Sequence, residues 1–320
     1  MKILITGGAG FIGSHLCDKY IKQGDTVVCM DNFMNGNLTN IRHLLTQKNF
    51  KLVNGDIRDF NLVEKVMSGI DIVFHLAAQI HVDRSIIEPK MTYDINVGGT
   101  LNILEASRMN DVKKILFASS SEVYGTAIYN PMDEDHPLNA PHPYGASKIA
   151  GDRLCYSYNA TYGMNIDIVR SFNVYGPRQK DSGYGGAISI FTKRVMNNQP
   201  PIIYGDGKQT RDYLYISDLI SGYDMLLKYK EKIITPINFG TGEDISIKDI
   251  ATRIIYSFGK QDTMSPIYVE SRPGEVDHLI ADITKAKKIG WSPKYNIHSG
   301  LDEFINWYKN YQMEAWTKPG

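Results

Sequence analysis

The first fifteen residues, Met1-Lys2-Ile3-Leu4-Ile5-Thr6-Gly7-Gly8-Ala9-Gly10-Phe11-Ile12-Gly13-Ser14-His15, constrain the fold more than any other stretch. Ile3 to Ile5 is an apolar run suited to a buried parallel strand, and Gly7, Gly10 and Gly13 follow at a spacing that opens a helix at Phe11. Gly7 permits the sharp turn, Gly10 lets the backbone approach a pyrophosphate, and Gly13 lets the helix pack closely on the sheet. Free helix N–H groups are then aimed at the anion. The glycine spacing alone also fits a tight turn with no ligand. A second apolar run, Thr26 to Met30, ends in Asp31, at the distance where an acid meets an adenosine ribose. A carboxylate there bonds a 2′-hydroxyl and repels a 2′-phosphate, so the pattern predicts NAD rather than NADP, with Phe11, Ile12 and Asn32 in the same cofactor site.

A chain of 320 residues is long enough for a large core or for two lobes with a cleft between them. Its 35 Lys and Arg balance 35 Asp and Glu, so the charge advertises neither a nucleic-acid nor an acidic-membrane partner. The longest apolar stretches are strand-sized and Met1 leads straight into the first strand. No signal peptide or membrane span is expected, and the chain reads as cytoplasmic. Cys17, Cys29 and Cys155 are odd in number and widely spaced, which predicts buried free thiols and no disulfide framework or metal site.

Strand and helix patterns then alternate. Phe50 to Asn54 reads as a strand with Gly55-Asp56-Ile57-Arg58-Asp59 at its carboxyl end, which places Asp56 and Ile57 to cover an adenine; a helix cap at Asp56 or Asp59 fits either residue alone. Ile70 to Leu76 reads as a fourth strand, ending in Leu76-Ala77-Ala78, small residues where a bulky side chain would collide with a cofactor. Met91 to Met109 reads as one long helix carrying Asn96 toward the cofactor, and Lys114 to Ser119 as a fifth strand. The rhythm predicts an α/β fold, a doubly wound parallel sheet.

After the fifth strand comes Phe117-Ala118-Ser119-Ser120-Ser121-Glu122-Val123-Tyr124-Gly125, and past a proline-rich loop Tyr144-Gly145-Ala146-Ser147-Lys148 opens a helix running through Tyr162. Tyr144 and Lys148 are four residues apart and share a helical face. A phenol of pKa ~10 is a poor base at neutral pH, but an ammonium neighbour and the nicotinamide charge favour the phenolate. Lowering its pKa by about three units takes roughly 4 kcal/mol of differential stabilisation.

These segments together, TGGAGFIG, Asp31, GDIRD, HLAA, SSSEVYG, YGASK, SFNVYGPRQ and YGDGKQTRDYLYISDL, resemble the extended short-chain dehydrogenase/reductases that act on nucleotide sugars, from Met1 to about Tyr308. The resemblance implies a Rossmann domain over residues 1–175, with a returning segment near 212–243, and a smaller C-terminal substrate-binding lobe over 176–320. It implies a catalytic set of Ser120, Tyr144 and Lys148, with Ser119 beside the cofactor. It assigns Asn173 to the sugar or diphosphate of a UDP or dTDP sugar, and its motif contexts place Arg211 and Arg272 against the nucleotide's phosphates. It also implies a homodimer built by the Met91 and Tyr144 helices, to which Ile149, Leu154 and Tyr158 offer apolar surface. The segment after Trp307 reads as a loose tail.

The family shares its opening step, oxidation at carbon 4 of the sugar, and then branches. An epimerase returns the hydride to the other face of the ketone, whereas a 4,6-dehydratase needs an acid-base group for carbons 5 and 6. Glu122, two residues beyond Ser120 and so on the same face of a strand, is such a carboxylate; simple 4-epimerases usually carry a small or neutral residue there. Many 4,6-dehydratases have Asp-Glu where this chain has Ser121-Glu122, a pair also seen in GDP-mannose-type dehydratases and UDP-glucuronate decarboxylases. The expected function is a 4,6-dehydratase. The stretch Tyr184-Gly185-Gly186-Ala187-Ile188-Ser189-Ile190-Phe191 resembles 4-epimerases, which keeps epimerisation as an alternative, with decarboxylation and a non-catalytic NAD-binding role behind it.

Overall fold

The computed structural model describes residues 1–183, 185–271 and 278–317. Its first half runs β1 (Lys2–Thr6), α1 (Phe11–Lys22), β2 (Thr26–Asp31), β3 (Phe50–Asn54), α2 (Phe60–Met67), β4 (Ile72–His75), α3 (Val82–Ile87), α4 (Pro89–Tyr93), α5 (Gly99–Met109), β5 (Lys114–Ala118), α6 (Pro143–Tyr162) and β6 (Ile166–Ser171). The second half runs β7 (Asn173–Tyr175), α7 (Ala187–Met196), β8 (Ile202–Tyr204), β9 (Thr210–Arg211), β10 (Tyr213–Tyr215), α8 (Ile216–Lys228) and β11 (Ile237–Phe239). It continues through β12 (Ile245–Ser246), α9 (Ile247–Ser257), β13 (Ile267–Val269), β14 (His278–Leu279), α10 (Thr284–Lys288) and α11 (Ile297–Thr317).

Seven strands form one parallel sheet in the order β11-β6-β5-β4-β1-β2-β3. Successive side chains of β1 point to opposite faces: Ile3 and Ile5 enter the core that runs on to Ile250, Leu279 and Phe304, and Leu4 enters the core beneath α2 and α5. With both faces covered the central strands are apolar throughout, as parallel sheets require. The strand order reverses between β1 and β4, which opens a crevice at the carboxyl ends of the strands. Three further short sheets are β10-β7, β12-β9-β14 and β13-β8.

Several elements differ from the sequence expectation. The helix read over Met91–Met109 starts at Pro89 and carries a π-turn at Asp94–Gly98 between α4 and α5. The described part of the segment after Trp307 is helical rather than a loose tail: α11 continues to Thr317, and near Trp307 the Tyr308 hydroxyl donates to Asp181 at 2.6 Å and Trp307 stacks on Tyr311 at 4.9 Å. Of the residues expected to offer a dimer surface, Tyr158 is buried and its hydroxyl bonds Glu105, and Leu154 and Ile149 pack against this chain's own cores. All three cysteines are free and buried.

Candidate active site

A cleft of about 730 Å³ lies at the strand ends where the order reverses. The glycine loop forms its floor. Gly7 has φ +69°, and a Cβ there would stand 2.9 Å from the Ala77 amide nitrogen; a Cβ at Gly13 would meet the Gly7 carbonyl at 2.2 Å. Backbone therefore packs directly on backbone between β1, α1 and the end of β4. No side chain caps α1 at Gly10, and Gly10, Phe11, Ile12 and Gly13 line the cleft, leaving first-turn amides for an anion.

Asp31 is buried at the end of β2. Oδ2 accepts the Ala9 amide at 2.9 Å and Oδ1 the Phe33 amide at 2.8 Å, so the carboxylate keeps lone pairs for ribose hydroxyls. Burial raises its pKa, and the two amides oppose the rise. Asp56 and Ile57 also line the cleft, but the Asp56 carboxylate is occupied by Arg58 and by Asn32, which hold it down to about 2. Leu76, Ala77 and Ala78 form the opposite wall. An uncapped helix end, a glycine floor and an acid with spare lone pairs suit a dinucleotide.

Asn96 is placed otherwise than expected. It does not line the cleft: Oδ1 accepts the Gln79 amide at 2.7 Å, and Nδ2 donates to the Gln79 carbonyl and the Ser147 hydroxyl, each at 2.9 Å. The π-turn thus turns Asn96 inward, where it pins the loop after β4 to α6. His75 works similarly, its Nδ1 facing Thr6 Oγ1 at 2.7 Å and its Nε2 facing Thr100 Oγ1 at 3.0 Å. Burial pushes its imidazole down to about 3.

Ser119, Ser120, Ser121, Glu122, Tyr144 and Lys148 all reach the cleft wall. Glu122 does so by a different route from that predicted. The strand stops at Ala118, and Ser121–Val123 is a 3₁₀ turn capped by the Ser120 hydroxyl, which accepts the Glu122 amide at 3.2 Å. The turn brings residues 120 and 122 to one side where strand alternation was expected to. Tyr144 is anchored by its amide, which donates to Ser85 Oγ at 3.0 Å, and its phenol bonds Ser120.

In the chain alone Lys148 does not lower the Tyr144 phenol; the expected activation also draws on the nicotinamide charge of bound NAD. Burial pushes the phenol up to about 12; the Ser120 bond opposes this and Glu122 adds to it. Lys148 Nζ donates to the Ala118 carbonyl at 2.8 Å, and burial brings its pKa down to about 8 against the pull of Asp152. Asp152 is itself clamped by Arg170 at 2.8 Å, and Arg170 Nη1 reaches the Tyr124 hydroxyl. A buried ion pair therefore stands behind the lysine.

Beside this cleft, Ser120, Glu122, Tyr144, Asn173, Arg211 and Tyr213 surround an adjoining space of about 430 Å³. Asn173 Nδ2 is buried with no hydrogen-bond partner, a donor left for a ligand. Arg211 Nη1 donates to the Thr210 carbonyl at 2.8 Å. Arg272 and Tyr184 lie outside the described residues. Arg178, Lys180, Trp307 and Tyr311 also line the cleft, and none was singled out from the sequence, because the segments carrying them are far apart in the chain. His142 was missed too; its only signal is its position just before Pro143 at a helix start. Among the described residues no group of three or more His, Cys, Asp or Glu is placed to hold a metal.

A doubly wound sheet with this glycine floor and a Ser-Tyr-Lys set at the crevice is the architecture of the extended short-chain dehydrogenase/reductases. The chain belongs to the GDP-mannose 4,6 dehydratase family, whose model matches residues 4–304. Family members are NAD-dependent dehydratases, epimerases and decarboxylases, and NAD is the cofactor. The chain is 44% identical, over 96% of its length and 98% of the relative's, to a Methanocaldococcus jannaschii protein provisionally named a UDP-glucose 4-epimerase. Its structure is similar to UDP-glucose 4-epimerase of Thermotoga maritima, solved with UDP-glucose, at TM-score 0.91 and 32% identity, covering 98% of this chain and 100% of that one. It is equally similar to the dTDP-glucose 4,6-dehydratase DesIV of Streptomyces venezuelae, solved with NAD, at TM-score 0.91 and 29% identity, covering 98% of each chain.

Proposed function

We propose that the protein is a nucleotide-sugar 4,6-dehydratase acting on a UDP or dTDP sugar. The observation that carries this reading is the Glu122 carboxylate on the wall of the substrate space beside Ser120 and Tyr144. Bound NAD supplies the hydride acceptor for sugar carbon 4 and later the donor. Gly7, Gly10, Phe11, Ile12, Gly13, Asp31 and Asn32 hold it from the floor and the ribose side, with Leu76 to Ala78 opposite. Tyr144 takes the proton of the 4-hydroxyl, and Ser120 keeps that hydroxyl in line. The resulting ketone acidifies the proton on carbon 5. Glu122 removes it, the C–H electron pair becomes the C5=C6 double bond, and the carbon 6 hydroxyl departs with the proton Glu122 carries, as water. Hydride return to carbon 6 and a solvent proton delivered to carbon 5, with the proton taken by Tyr144 released to solvent, complete a 4-keto-6-deoxy sugar, with one water lost overall. With Ser121 in place of an acid, Glu122 serves as base and then acid.

A 4-epimerase is the second reading, favoured by the 44% identical relative. It needs only Ser120, Tyr144 and Lys148 and leaves Glu122 without work. Mass spectrometry of products from a panel of UDP and dTDP sugars decides: loss of one water supports the dehydratase, and unchanged mass with a shifted chromatographic peak supports the epimerase. A homodimer remains our proposal, with Tyr93, Leu101, Tyr156 and Tyr162 as the exposed apolar residues on the helices concerned. No helix among the described residues is long and apolar enough to cross a membrane, and we place the enzyme in the cytoplasm with its cofactor.

A further inference from the structure

Glu122 is held by more than its own turn. His142 stands at the N-terminus of α6, where Nδ1 accepts the Gly145 amide at 3.0 Å. In the neutral ring that bond leaves the proton on Nε2, which lies 3.1 Å from Oε2 of Glu122. The His142 side chain is 12% exposed and the Glu122 side chain 28%, so the contact is partly shielded from water. The imidazole also lies nearly parallel to the Tyr144 ring, at 13° with centroids 6.1 Å apart. Among the described residues no hydrogen bond is made to Oε1 of Glu122, so one oxygen is held and the other is left to react.

The choice of residue is informative. Ser, Thr, Asn or Asp would cap this helix as well as or better than histidine. None of them extends from the cap to the carboxylate as the imidazole does. We infer that His142 is the positioning residue of Glu122, fixing the carboxylate that works at carbons 5 and 6 to the helix that carries Tyr144 and Lys148. The inference rests on the dehydratase reading for its chemical meaning and on the His142–Glu122 geometry for its structural one. A donor on Oε2 fixes the orientation of the carboxylate and directs Oε1 toward carbons 5 and 6 without itself touching the sugar.

The test uses His142→Asn, which keeps a capping acceptor and removes the reach. The expected result is unchanged melting, unchanged KM and retained reduction of the cofactor by the sugar, with release of water slowed by about a hundredfold, the scale of a misplaced catalytic group. Exchange of the carbon 5 proton with deuterated solvent should slow in parallel. A rate of water release equal to wild type overturns the inference. A second measurement is independent of turnover: a slowly exchanging His142 Nε2–H resonance in the wild type that is lost in Glu122→Ala. If that resonance is present and no nucleotide sugar loses water, the pairing stands and the dehydratase reading falls. If it is absent, or the same in both proteins, the pairing falls.

Discussion

Tyr144 and Lys148 stand one turn apart on α6 yet bond in different directions, the phenol to Ser120 and the ammonium to the Ala118 carbonyl 2.8 Å away. The pair therefore does not activate itself. With the phenol pushed up to about 12 and the lysine down to about 8, the chain alone holds Tyr144 neutral and Lys148 still mostly charged at neutral pH, so the base form of the phenol also draws on the nicotinamide charge of bound NAD.

The pH–rate profile should carry this imprint. The Lys148 pKa is lowered, so its ammonium is present below about 8 and lost above it, and kcat should decline on the alkaline side of that value. Lys148→Met should be slow at every pH and lack that limb. Tyr144→Phe should lose turnover by about 10²–10⁴-fold, the range for a general base, while calorimetry shows NAD binding retained.

Glu122→Gln separates the two halves of the reaction. The amide keeps the shape and a hydrogen-bond acceptor but cannot take the carbon 5 proton. Reduced cofactor should still form, seen by its absorbance, while the 4-keto-6-deoxy product disappears; unchanged product formation would remove Glu122 from the mechanism.

Gly13→Ala should damage both fold and cofactor affinity. The added methyl would stand 2.2 Å from the Gly7 carbonyl, so α1 must move off the sheet. A loss of about 1–3 kcal/mol is expected for such overpacking, read by chemical denaturation, together with weaker NAD binding by titration.

The buried His75 makes stability depend on pH. Its folded pKa of about 3 lies below the unfolded value near 6.5, so between these values the unfolded chain binds a proton that the folded chain does not. Stability is complete above the unfolded value and falls as pH drops below it. At pH 5 the loss is about 2 kcal/mol from this residue. His75→Gln should start less stable at pH 7.5, and its denaturation midpoint should change less between pH 7.5 and pH 5.

The features legible in the sequence are those whose physics is local. The glycine loop, the acid ending β2 and the Tyr144–Lys148 spacing each follow from neighbours within a few residues. Illegible were features decided by partners far along the chain. Asn96 turns inward because Gln79 and Ser147 await it there. The last helix persists because Asp181 receives Tyr308. His142 looks like an ordinary residue before a proline until Glu122 is folded against it. Alternation along a strand predicted the right neighbours for Ser120 through the wrong geometry, since a turn rather than a pleat presents Glu122.

The late arrival of β11 has a consequence for how the protein is made. Its Asn238 receives the Tyr124 hydroxyl at 2.6 Å and donates to the Met132 carbonyl at 3.0 Å, and its backbone pairs with β6 from Val169 to Ser171. A nascent chain leaving the ribosome therefore exposes β6 as a bare sheet edge until Phe239 has emerged. Cutting the gene after the first lobe would freeze that exposed stage and yield a fragment prone to sticking to itself, so the cofactor half becomes a finished object only when the other half has been translated.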